Sequence, residues 1–403
     1  MLNVGILGLG TVGQGVVEIL NTREKEVEKL LGKKIRVKKI LVNDINKERE
    51  LEINQDIITD NFKEIVEDEE IQLIVEVTSS IEEGYSYIKE GLNKGKDIVT
   101  ANKAIVSKYF EELTALAMEN NVAFLYEASV AGGIPVLKPL KEHLAINDIE
   151  EVQGILNGTC NYILTRMFEE GLGYEDVLKE AQDLGYAEAD PAADVEGDDT
   201  LRKLRILSTL ALQGEILEGD IILEGIDRIN SFDIEQIKKI NSRVKLIGEG
   251  RYLEDGFMAI VMPSIVDKDS YFANVDQAFN SVAFKGNNVG ELKFYGAGAG
   301  KLPTANAILM DVLDIAPDNY RQENPLGDKK LKNNNENIKG KFYLRISNLD
   351  KDITEKVKKL ADKILAEEEY MGIITKEIEL KYIYETLEKL KIERQEYFIG
   401  RFI

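Results

Sequence analysis

Apolar runs alternate with amphipathic stretches over residues 1–130 of the chain. Nearly continuous apolar runs are typical of strands buried on both faces, and a spacing of three to four residues is typical of helices. Strands that alternate with helices predict a doubly wound parallel sheet of the α/β class. The predicted strands are 3–7, 35–42, 71–77, 97–100 and 123–126, and the predicted helices are 14–31, 80–93 and 109–120.

The pattern changes after residues 131–135, where longer helices and β-rich runs predict a second, α+β domain over 131–320. A helix near 301–320 is expected to complete the first domain. The Asn-rich residues 328–340 predict a linker, and 341–403 predict a small α+β domain of βαββα type. The predicted helices beyond residue 131 are 161–168, 174–184, 200–213, 305–314, 354–367 and 382–390, and the β-rich runs are 257–261, 281–284, 341–348, 372–380 and 396–403.

Composition narrows the classes of partner. The formal net charge of −22 argues against binding a nucleic-acid backbone, which needs a cationic surface. A single cysteine, Cys160, excludes an internal disulfide framework. The apolar N-terminus lacks a basic region and a cleavage site, and no apolar run approaches the ~18–20 residues of a membrane span. We therefore expect a cytoplasmic protein without a membrane or nucleic-acid partner.

Gly8, Gly10 and Gly13 form a G-x-G-x-x-G motif between the first predicted strand and the first helix. This context is typical of a dinucleotide site, because the glycines let the backbone approach a pyrophosphate at the helix N-terminus. A chance cluster of glycines is the alternative.

An acid at the end of the second strand would bind the ribose hydroxyls of the adenosine, and Asp44 is the candidate. Asp44 favours NAD, whereas Lys47 or Arg49 could meet the 2′-phosphate of NADP. Lys103 follows the strand 97–100, so it is expected to face the cofactor crevice at the carboxyl end of the sheet. A solvated surface lysine is the alternative.

Residues 185–204 place many acids around two glycines and a proline at the start of an apolar helix. Asp199 and Lys203 are four residues apart and therefore share a helical face. Carboxylates and an amine at a helix start suit a small zwitterion with a reacting hydroxyl. The alternative is a capped helix whose acids stabilise its dipole. The other acids, expected only to shape and cap the turn, are Asp190, Asp194, Glu196 and Asp198.

Two further residues are candidates for catalysis, but weak ones. Cys160 begins an apolar helix, and a buried, inert thiol is the favoured interpretation because no histidine is paired with it. His143, the only histidine, lies in a charged stretch and is interpreted as a surface residue.

Six segments occur in a specific order: 8–13, 100–103, 127–135, 157–164, 185–203 and 296–304. Together they resemble homoserine dehydrogenases over residues 1–320, in the monofunctional form. The resemblance implies interconversion of L-homoserine and L-aspartate 4-semialdehyde with NAD or NADP, on the route to threonine, isoleucine and methionine. It assigns 1–130 to dinucleotide binding and 131–320 to substrate binding and dimerisation.

The resemblance also implies residue roles. Lys203 would be the acid and base, with Lys103 nearby on substrate and cofactor. The implied substrate residues are Glu188, Asp199, Asn157, Gly158 and Thr159. The implied cofactor residues are Gly8, Gly10, Thr11, Val12, Gly13, Asp44, Thr78, Ser79, Thr100, Lys103, Gly185 and Gly300.

A monovalent cation site is implied at Glu127, Val130, Gly132 and Ile134, where oxygen ligands without Cys or His suit Na⁺. A glycine-rich turn between domains is the alternative. Residues 341–403 resemble an ACT domain, for which an amino-acid effector is expected, although residues 348–352 lack the usual Pro-Gly turn. A homodimer or a higher homo-oligomer is expected.

Two other functional classes stay open at this point. A semialdehyde dehydrogenase that forms a covalent thioester would need a cysteine with a base, which Cys160 lacks. A non-catalytic regulator that senses nucleotides and amino acids would not need a proton donor such as Lys203.

Overall fold

The computed structural model describes residues 1–49, 53–317, 320, 326–347 and 349–403. Its strands are β1 (Leu2–Leu7), β2 (Ile35–Leu41), β3 (Ile58–Thr59), β4 (Leu73–Glu76), β5 (Asp97–Thr100), β6 (Phe124–Leu125), β7 (Ile149–Ile155), β8 (Ile222–Leu223), β9 (Ser242–Leu253), β10 (Gly256–Asp267), β11 (Phe279–Gly286), β12 (Gly290–Ala297), β13 (Lys332–Asn333), β14 (Lys339–Gly340), β15 (Phe342–Ile346), β16 (Ala361–Glu367), β17 (Met371–Thr375), β18 (Ile378–Glu379) and β19 (Tyr397–Phe402). Its helices are α1 (Thr11–Thr22), α2 (Glu24–Leu31), α3 (Lys63–Val66), α4 (Ile81–Asn93), α5 (Lys103–Lys108), α6 (Phe110–Glu119), α7 (Leu137–His143), α8 (Gly158–Glu170), α9 (Tyr174–Asp183), α10 (Ala192–Val195), α11 (Asp198–Leu212), α12 (Ser231–Lys239), α13 (Lys301–Ile315), α14 (Lys351–Lys358) and α15 (Leu380–Lys389).

The first of two compact units comprises 1–145 and 296–328. Its six strands are parallel in the order β3-β2-β1-β4-β5-β6, which is the classic order of a dinucleotide-binding sheet. The predicted doubly wound sheet is thus confirmed. Helix α13 packs against α1, and a Cβ atom added at Gly15 would lie 2.7 Å from the carbonyl oxygen of Lys301. Residues 318–319, at the end of the predicted helix 301–320, lie outside the described residues.

The second unit comprises 146–295 and 329–403. Its main sheet follows the order β12-β11-β7-β9-β10-β19-β15-β17-β16, with β8 and β13 also paired to β10. Strands β9 and β10 form a long antiparallel pair in continuous register from Gly256↔Leu253 to Asp267↔Ser242. Helix α11 packs on β7 and β9, so its buried face is fixed by the centre of this sheet.

The C-terminal residues form a split βαβ arrangement. Strands β19, β15, β17 and β16 are antiparallel neighbours, with α14 and α15 as connections. The structure differs from the helix predicted over 354–367: α14 ends at Lys358 and β16 follows, because pairing with β17 outweighs local helix propensity. These residues belong to the same sheet as β10 and not to a separate unit. Residue 348, where the unusual turn of 348–352 begins, lies outside the described residues.

The predicted linker over 328–340 is also different in the structure. Its side chains satisfy main-chain groups of the β9–β10 turn, since Asn334 Nδ2 donates to the Leu253 carbonyl at 2.9 Å and Asn335 Oδ1 accepts from the Ala259 amide at 2.8 Å. Asn334 is fully buried. A polar composition that is typical of linkers here serves hydrogen bonding within the second unit.

Smaller differences concern boundaries. The predicted helix 14–31 is two helices, α1 and α2, separated at Arg23 (φ −113°, ψ 16°). Residues 131–145 belong to the first unit, which extends beyond the predicted boundary at 130. In the described part of the chain, no helix is long and apolar enough to cross a membrane.

Candidate active site

The glycine motif forms the turn between β1 and α1. Gly8 has φ +104°, a conformation that favours glycine, and a Cβ atom at Gly13 would lie 2.2 Å from the Gly8 carbonyl oxygen. By contrast, a Cβ atom at Gly10 would meet no atom within 4 Å. Gly10 caps α1 without a side-chain hydrogen bond, and the first amides of a helix have no partner within the helix. This N-terminus suits a pyrophosphate.

The loop after β2 contains the predicted ribose ligand. The exposed Asp44 carboxylate accepts a hydrogen bond from the Asn46 amide at 2.8 Å. The Arg49 guanidinium donates to the carbonyl oxygens of Asp44 and Lys47, each at 2.7 Å. The loop therefore presents an acid suited to ribose hydroxyls and a fixed guanidinium suited to a 2′-phosphate.

At the carboxyl ends of β4 and β5, Thr78 and Thr100 donate hydrogen bonds to the same buried carboxylate, that of Glu76. Glu76 Oε1 accepts from the amide of Thr78 at 2.8 Å and from its hydroxyl at 2.6 Å. Glu76 Oε2 accepts from the Thr100 hydroxyl at 2.6 Å. Ser79 follows in the same loop. Glu76 was not among the predicted site residues, although an acid inside the apolar run 71–77 was a usable signal.

Lys103 is the first residue of α5, just beyond the end of β5. Asn102 caps this helix, because its Oδ1 accepts from the Ile105 amide at 3.2 Å. The Asn102 amide donates to Thr100 Oγ1 at 3.0 Å. Lys103 is half-buried, so it is not the fully solvated lysine of the alternative interpretation.

A polar cluster joins the starts of α8 and α11 in the second unit. Asn157 Nδ2 donates to Asp194 Oδ1 at 2.7 Å and to Asp199 Oδ2 at 2.9 Å. Asp199 Oδ2 also accepts from Lys203 Nζ at 2.7 Å, as expected for residues four apart on a helix. Asp199 and Lys203 are only 2% and 8% exposed. Buried charges of this kind need close partners, which the cluster supplies.

The main chain at the end of β7 also binds Lys203. Lys203 Nζ donates to the Leu156 carbonyl at 2.8 Å, and Asn280 Nδ2 donates to the same oxygen at 2.9 Å. The Asp199 carboxylate on α11 and the Leu156 carbonyl at the end of β7 are therefore among the groups that hold the ammonium. This arrangement positions a proton donor and acceptor with little freedom.

The role expected of Asp194 needs correction. It was predicted only to shape the turn, yet it shares the Asn157 amide with Asp199. Asp190 does shape the turn, since its Oδ1 accepts from the Ala192 amide at 3.2 Å. Asn157 and Asp194 are 37 residues apart, so local spacing carried no signal of their contact.

The structure does not bring Glu188 to this cluster. Glu188 is exposed in the loop after α9, and its carbonyl accepts from Gln182 Nε2 at 3.1 Å. Within the described residues, its carboxylate makes no hydrogen bond or ion pair with the cluster. Thr159 ties this loop to α8, because its hydroxyl donates to the Tyr186 carbonyl at 2.6 Å. Gly185, also exposed, has φ +76°.

Cys160 is fully buried, as predicted. Its Sγ lies 3.1 Å from the Asp194 carbonyl oxygen, and burial raises the pKa of its thiol well above the usual value. Little thiolate forms at neutral pH, which argues against a covalent thioester. His143 is half-buried at the end of α7 in the first unit.

The Glu127 carboxylate caps α7. Its oxygens accept from the amides of Val136, Leu137 and Lys138 at 2.6, 2.7 and 2.7 Å. Burial raises the pKa of Glu127, while these amide hydrogen bonds oppose the shift. The carboxylate is thus bound by the amides at the helix start, and its role as a cation ligand stays a prediction.

Main-chain oxygens near Glu127 fit a cation better. Val130, Gly132 and Ile134 are buried, and in the described part of the chain their carbonyl oxygens accept no hydrogen bond. Buried carbonyls without partners are uncommon in folded proteins. Gly132 has φ +55° and lies against Gly298, where a Cβ atom would be 2.2 Å from a carbonyl oxygen.

Gly300 caps α13 at φ +127° without a side-chain hydrogen bond. A Cβ atom there would lie 3.4 Å from Cδ of Pro303. The residue therefore starts the helix predicted near 305–314, and that helix begins four residues earlier, at Lys301.

Comparison with known proteins agrees with this geometry. Residues 8–127 match the family "Homoserine dehydrogenase, NAD binding domain", and residues 135–313 match the family "Homoserine dehydrogenase". The chain is 40% identical to homoserine dehydrogenase of Bacillus subtilis over 314 residues, 78% of this chain and 72% of that protein. It is 41% identical to homoserine dehydrogenase of Synechocystis over 318 residues, 78% of this chain and 73% of that protein.

Solved structures are similar as well. A homoserine dehydrogenase from Thiobacillus denitrificans superposes with a TM-score of 0.89 at 33% identity, covering 100% of this chain and 98% of that chain. A hyperthermophilic archaeal homoserine dehydrogenase in complex with NADPH gives 0.67 at 25% identity, covering 79% and 98%. With its parallel dinucleotide-binding sheet and these matches over both units, this chain belongs to the homoserine dehydrogenase family of NAD(P)-dependent oxidoreductases.

Proposed function

We propose that this chain interconverts L-homoserine and L-aspartate 4-semialdehyde through an acid–base step at Lys203. The observation that supports this most strongly is the buried pair of Lys203 Nζ and Asp199 Oδ2 at 2.7 Å, backed by the Leu156 carbonyl. A lysine fixed in this way can give a proton to the aldehyde oxygen during reduction and take it back from the hydroxyl during oxidation.

The bound nicotinamide ring supplies the hydride acceptor or donor, and the residues of the chain handle the proton. In oxidation, the C–H hydride leaves the carbinol carbon, the O–H proton passes to a neutral Lys203, and a C=O bond forms. Asp199 then stabilises the ammonium that results. In reduction, the same ammonium returns the proton to the oxygen.

Binding of the amino-acid end falls to carboxylates near Lys203. Asp194 and Asp199 share the Asn157 amide, which leaves the pair with a net negative charge suited to an ammonium group. Gly158 and Thr159 lie at the start of α8 beside Asn157. Glu188 remains a proposed ligand, and its exposed loop would have to move to act as one.

The dinucleotide would bind with its pyrophosphate on the amides at the start of α1, near Gly10. Asp44 would hold the adenosine ribose when the cofactor is NAD, and Arg49 would meet the additional phosphate when it is NADP. Thr78, Thr100 and Lys103 would line the crevice at the carboxyl ends of β4 and β5, and Ser79, Gly185 and Gly300 are also proposed on the cofactor side.

We also propose a Na⁺ site built from Glu127 and the main-chain oxygens of Val130, Gly132 and Ile134. The buried, unpartnered carbonyls support it, and hard oxygen ligands suit Na⁺. The ion would hold this turn in place and supply no step of the reaction. Activity that is equal in sodium, potassium and choline salts would remove a functional role for the ion.

The split βαβ arrangement of 341–403 supports the proposal of an ACT-like module that binds an amino-acid effector. A homodimer or higher homo-oligomer is proposed with it. Inhibition by threonine, and sedimentation velocity of the full chain, test these two points separately.

The central experiment is a spectrophotometric assay of homoserine oxidation with NAD and NADP in parallel. For Lys203→Ala we expect kcat to fall by about 10²- to 10⁴-fold, the usual contribution of a positioned acid or base. Arg202→Ala is the matched control, because Arg202 is the neighbouring residue on α11 and its nearest ion pair is long, 3.9 Å to Glu218. Full activity of Lys203→Ala would overturn the assignment.

A further inference from the structure

Glu76 is a buried carboxylate that the proposed reaction does not use. It ends β4, has no exposed surface, and in the described part of the chain pairs with no lysine or arginine. Burial raises the pKa of its carboxyl, although its hydrogen bonds act in the opposite direction. Burying a carboxylate costs free energy unless hydrogen bonds compensate for the lost hydration, so its contacts at this place are informative.

In the described part of the chain, the hydrogen-bond partners of Glu76 are Thr78 and Thr100, both proposed on the cofactor side. Thr78 donates to Oε1 through both its amide (2.8 Å) and its hydroxyl (2.6 Å), and the Thr100 hydroxyl donates to Oε2 at 2.6 Å. One carboxylate therefore fixes the ends of two neighbouring parallel strands, β4 and β5. These ends form the edge where open α/β sheets bind their ligands.

Hydrogen bonds continue from Thr100 to the turn formed by Asn102 and Lys103. Thr100 Oγ1 donates to Glu76 and accepts from the Asn102 amide at 3.0 Å. Asn102 in turn caps the helix that Lys103 begins, through the Ile105 amide at 3.2 Å. The orientation of the Thr100 hydroxyl, and with it the start of α5, is thus fixed by the carboxylate.

Helix α4 approaches the Glu76 carboxylate closely at Gly84. A Cβ atom at Gly84 on α4 would lie 3.0 Å from Glu76 Oε1, 3.0 Å from Thr78 Oγ1 and 2.6 Å from Ile105 Cδ1. Helices α4 and α5 therefore close over the carboxylate.

We infer that Glu76 is a positioning residue, which sets the Thr100 hydroxyl and the Asn102–Lys103 turn for cofactor and substrate. The inference rests on the proposed role of Lys103. Glu76 itself touches neither the substrate nor the reacting atoms in this scheme. It acts through hydrogen bonds that only an acceptor at both oxygens can supply.

The test is a double-mutant cycle of Glu76→Gln and Thr100→Val in the full-length enzyme. Glutamine replaces one acceptor oxygen by a nitrogen that can only donate. We expect each single variant to lower kcat by about 10- to 100-fold, as small misplacements of reacting groups do. The double variant should lose no more than the worse single variant, because both changes break the same contact. Thr100→Ser, which keeps the hydroxyl, should restore kcat to within a few-fold of wild type.

Asp97→Asn is the matched control. Asp97 is at the opposite end of β5, where its Oδ1 accepts from the Ala123 amide at 2.8 Å. It should lower the melting temperature without changing kcat per folded enzyme. If the effects of Glu76→Gln and Thr100→Val add, or if Thr100→Ser does not restore activity, the inference is overturned. Wild-type kinetics for Lys103→Ala would instead refute the proposed function of Lys103. Should Glu76→Gln fail to fold, the comparison of Thr100→Val with Thr100→Ser still tests the inference.

Discussion

The hydroxyl of Tyr384 donates a hydrogen bond of 2.9 Å to Glu224 Oε1, across 160 residues of the chain. Glu224 is 2% exposed, and its other carboxylate oxygen pairs with Arg228 and with Arg394. Two residues further on, the Ile226 amide donates to the Val195 carbonyl at 2.7 Å. The C-terminal helix α15 is therefore linked to the segment that carries Asp194.

This link predicts a kinetic effect of the distant Tyr384→Phe. Loss of a buried hydrogen bond to a charged group should lower the free energy of unfolding by about 1.5–3 kcal/mol. Because the segment that carries Asp194 and Val195 loses support, we expect the KM for homoserine to rise several-fold with an unchanged KM for the cofactor. Denaturant unfolding and steady-state kinetics measure both.

Tyr382→Phe provides the control, since Tyr382 is 51% exposed on the same helix. It should leave both quantities unchanged. A loss of stability in Tyr384→Phe with an unaltered KM for homoserine would contradict the link.

Asn157 has two separable roles, as the cap of α8 and as the bridge between Asp194 and Asp199. Its Oδ1 accepts from the Cys160 amide at 2.8 Å, which a serine can replace, whereas the two donations from Nδ2 cannot be replaced. Asn157→Ser should therefore stay about 1 kcal/mol more stable than Asn157→Ala, because it keeps the cap, and it should raise the KM for homoserine by an order of magnitude. Asn157→Ala should lose the cap of α8 as well as the bridge between Asp194 and Asp199. Equal kinetics for Asn157→Ser and wild type would show that the bridge has no role.

Two glycines of the nucleotide motif should respond differently to alanine. Gly13→Ala places a methyl group 2.2 Å from the Gly8 carbonyl, so it should lower both stability and cofactor affinity. Gly10→Ala meets no atom of the chain and should weaken NAD(P)H binding alone. Fluorescence titration and thermal unfolding separate the two effects. Tight cofactor binding by Gly10→Ala would argue against a pyrophosphate at this turn.

Lys245 should give stability a measurable pH dependence. Burial lowers its pKa from 10.5 to about 8, partly offset by Asp276. Between these values the unfolded chain binds more protons than the folded protein, so the free energy of unfolding should rise with pH, by up to about 1.4 kcal/mol per pH unit. Below pH 8 both states are protonated and the slope disappears.

The measurement is the difference between wild type and Lys245→Met at pH 7 and at pH 9.5. The variant also loses the hydrogen bond to Asn161 Oδ1 at 3.1 Å, which shifts the difference by a constant. Lys239→Met, on an exposed position of α12, is the control without such a slope. A difference that does not change with pH would mean that the buried ammonium does not titrate in this range.

The part of the fold that depends on local pattern was predictable. Strand β5 has the predicted bounds, 97–100, and the alternation of strands and helices led to the observed parallel sheet. The contact of Asp199 with Lys203 follows from helical spacing alone. Both matched ranges belong to an enzyme family, and this membership removes the alternative of a non-catalytic regulator.

What depends on tertiary packing was not predictable. The bridge from Asn157 to Asp194 joins residues 37 positions apart, and the contact of Glu76 with Thr100 joins residues 24 positions apart. The strand β16 was predicted as helix, because its pairing with β17 is not encoded in the local spacing. The capping of α7 by the Glu127 carboxylate was not predicted, because it depends on a turn whose geometry the local sequence does not reveal.

Strand β10 pairs in part with β13 and β19, two strands that are synthesised late. One of its sides is paired throughout with β9, whereas the other is shared by β8, β13 and β19. In a nascent chain that has reached only residue 330, β8 can cover only the middle of this edge, and the main-chain groups on either side are open to pairing with another chain. The second unit can complete its sheet only after residues 397–402 have left the ribosome, so its yield in the cell should depend on chaperones that shield this strand until then.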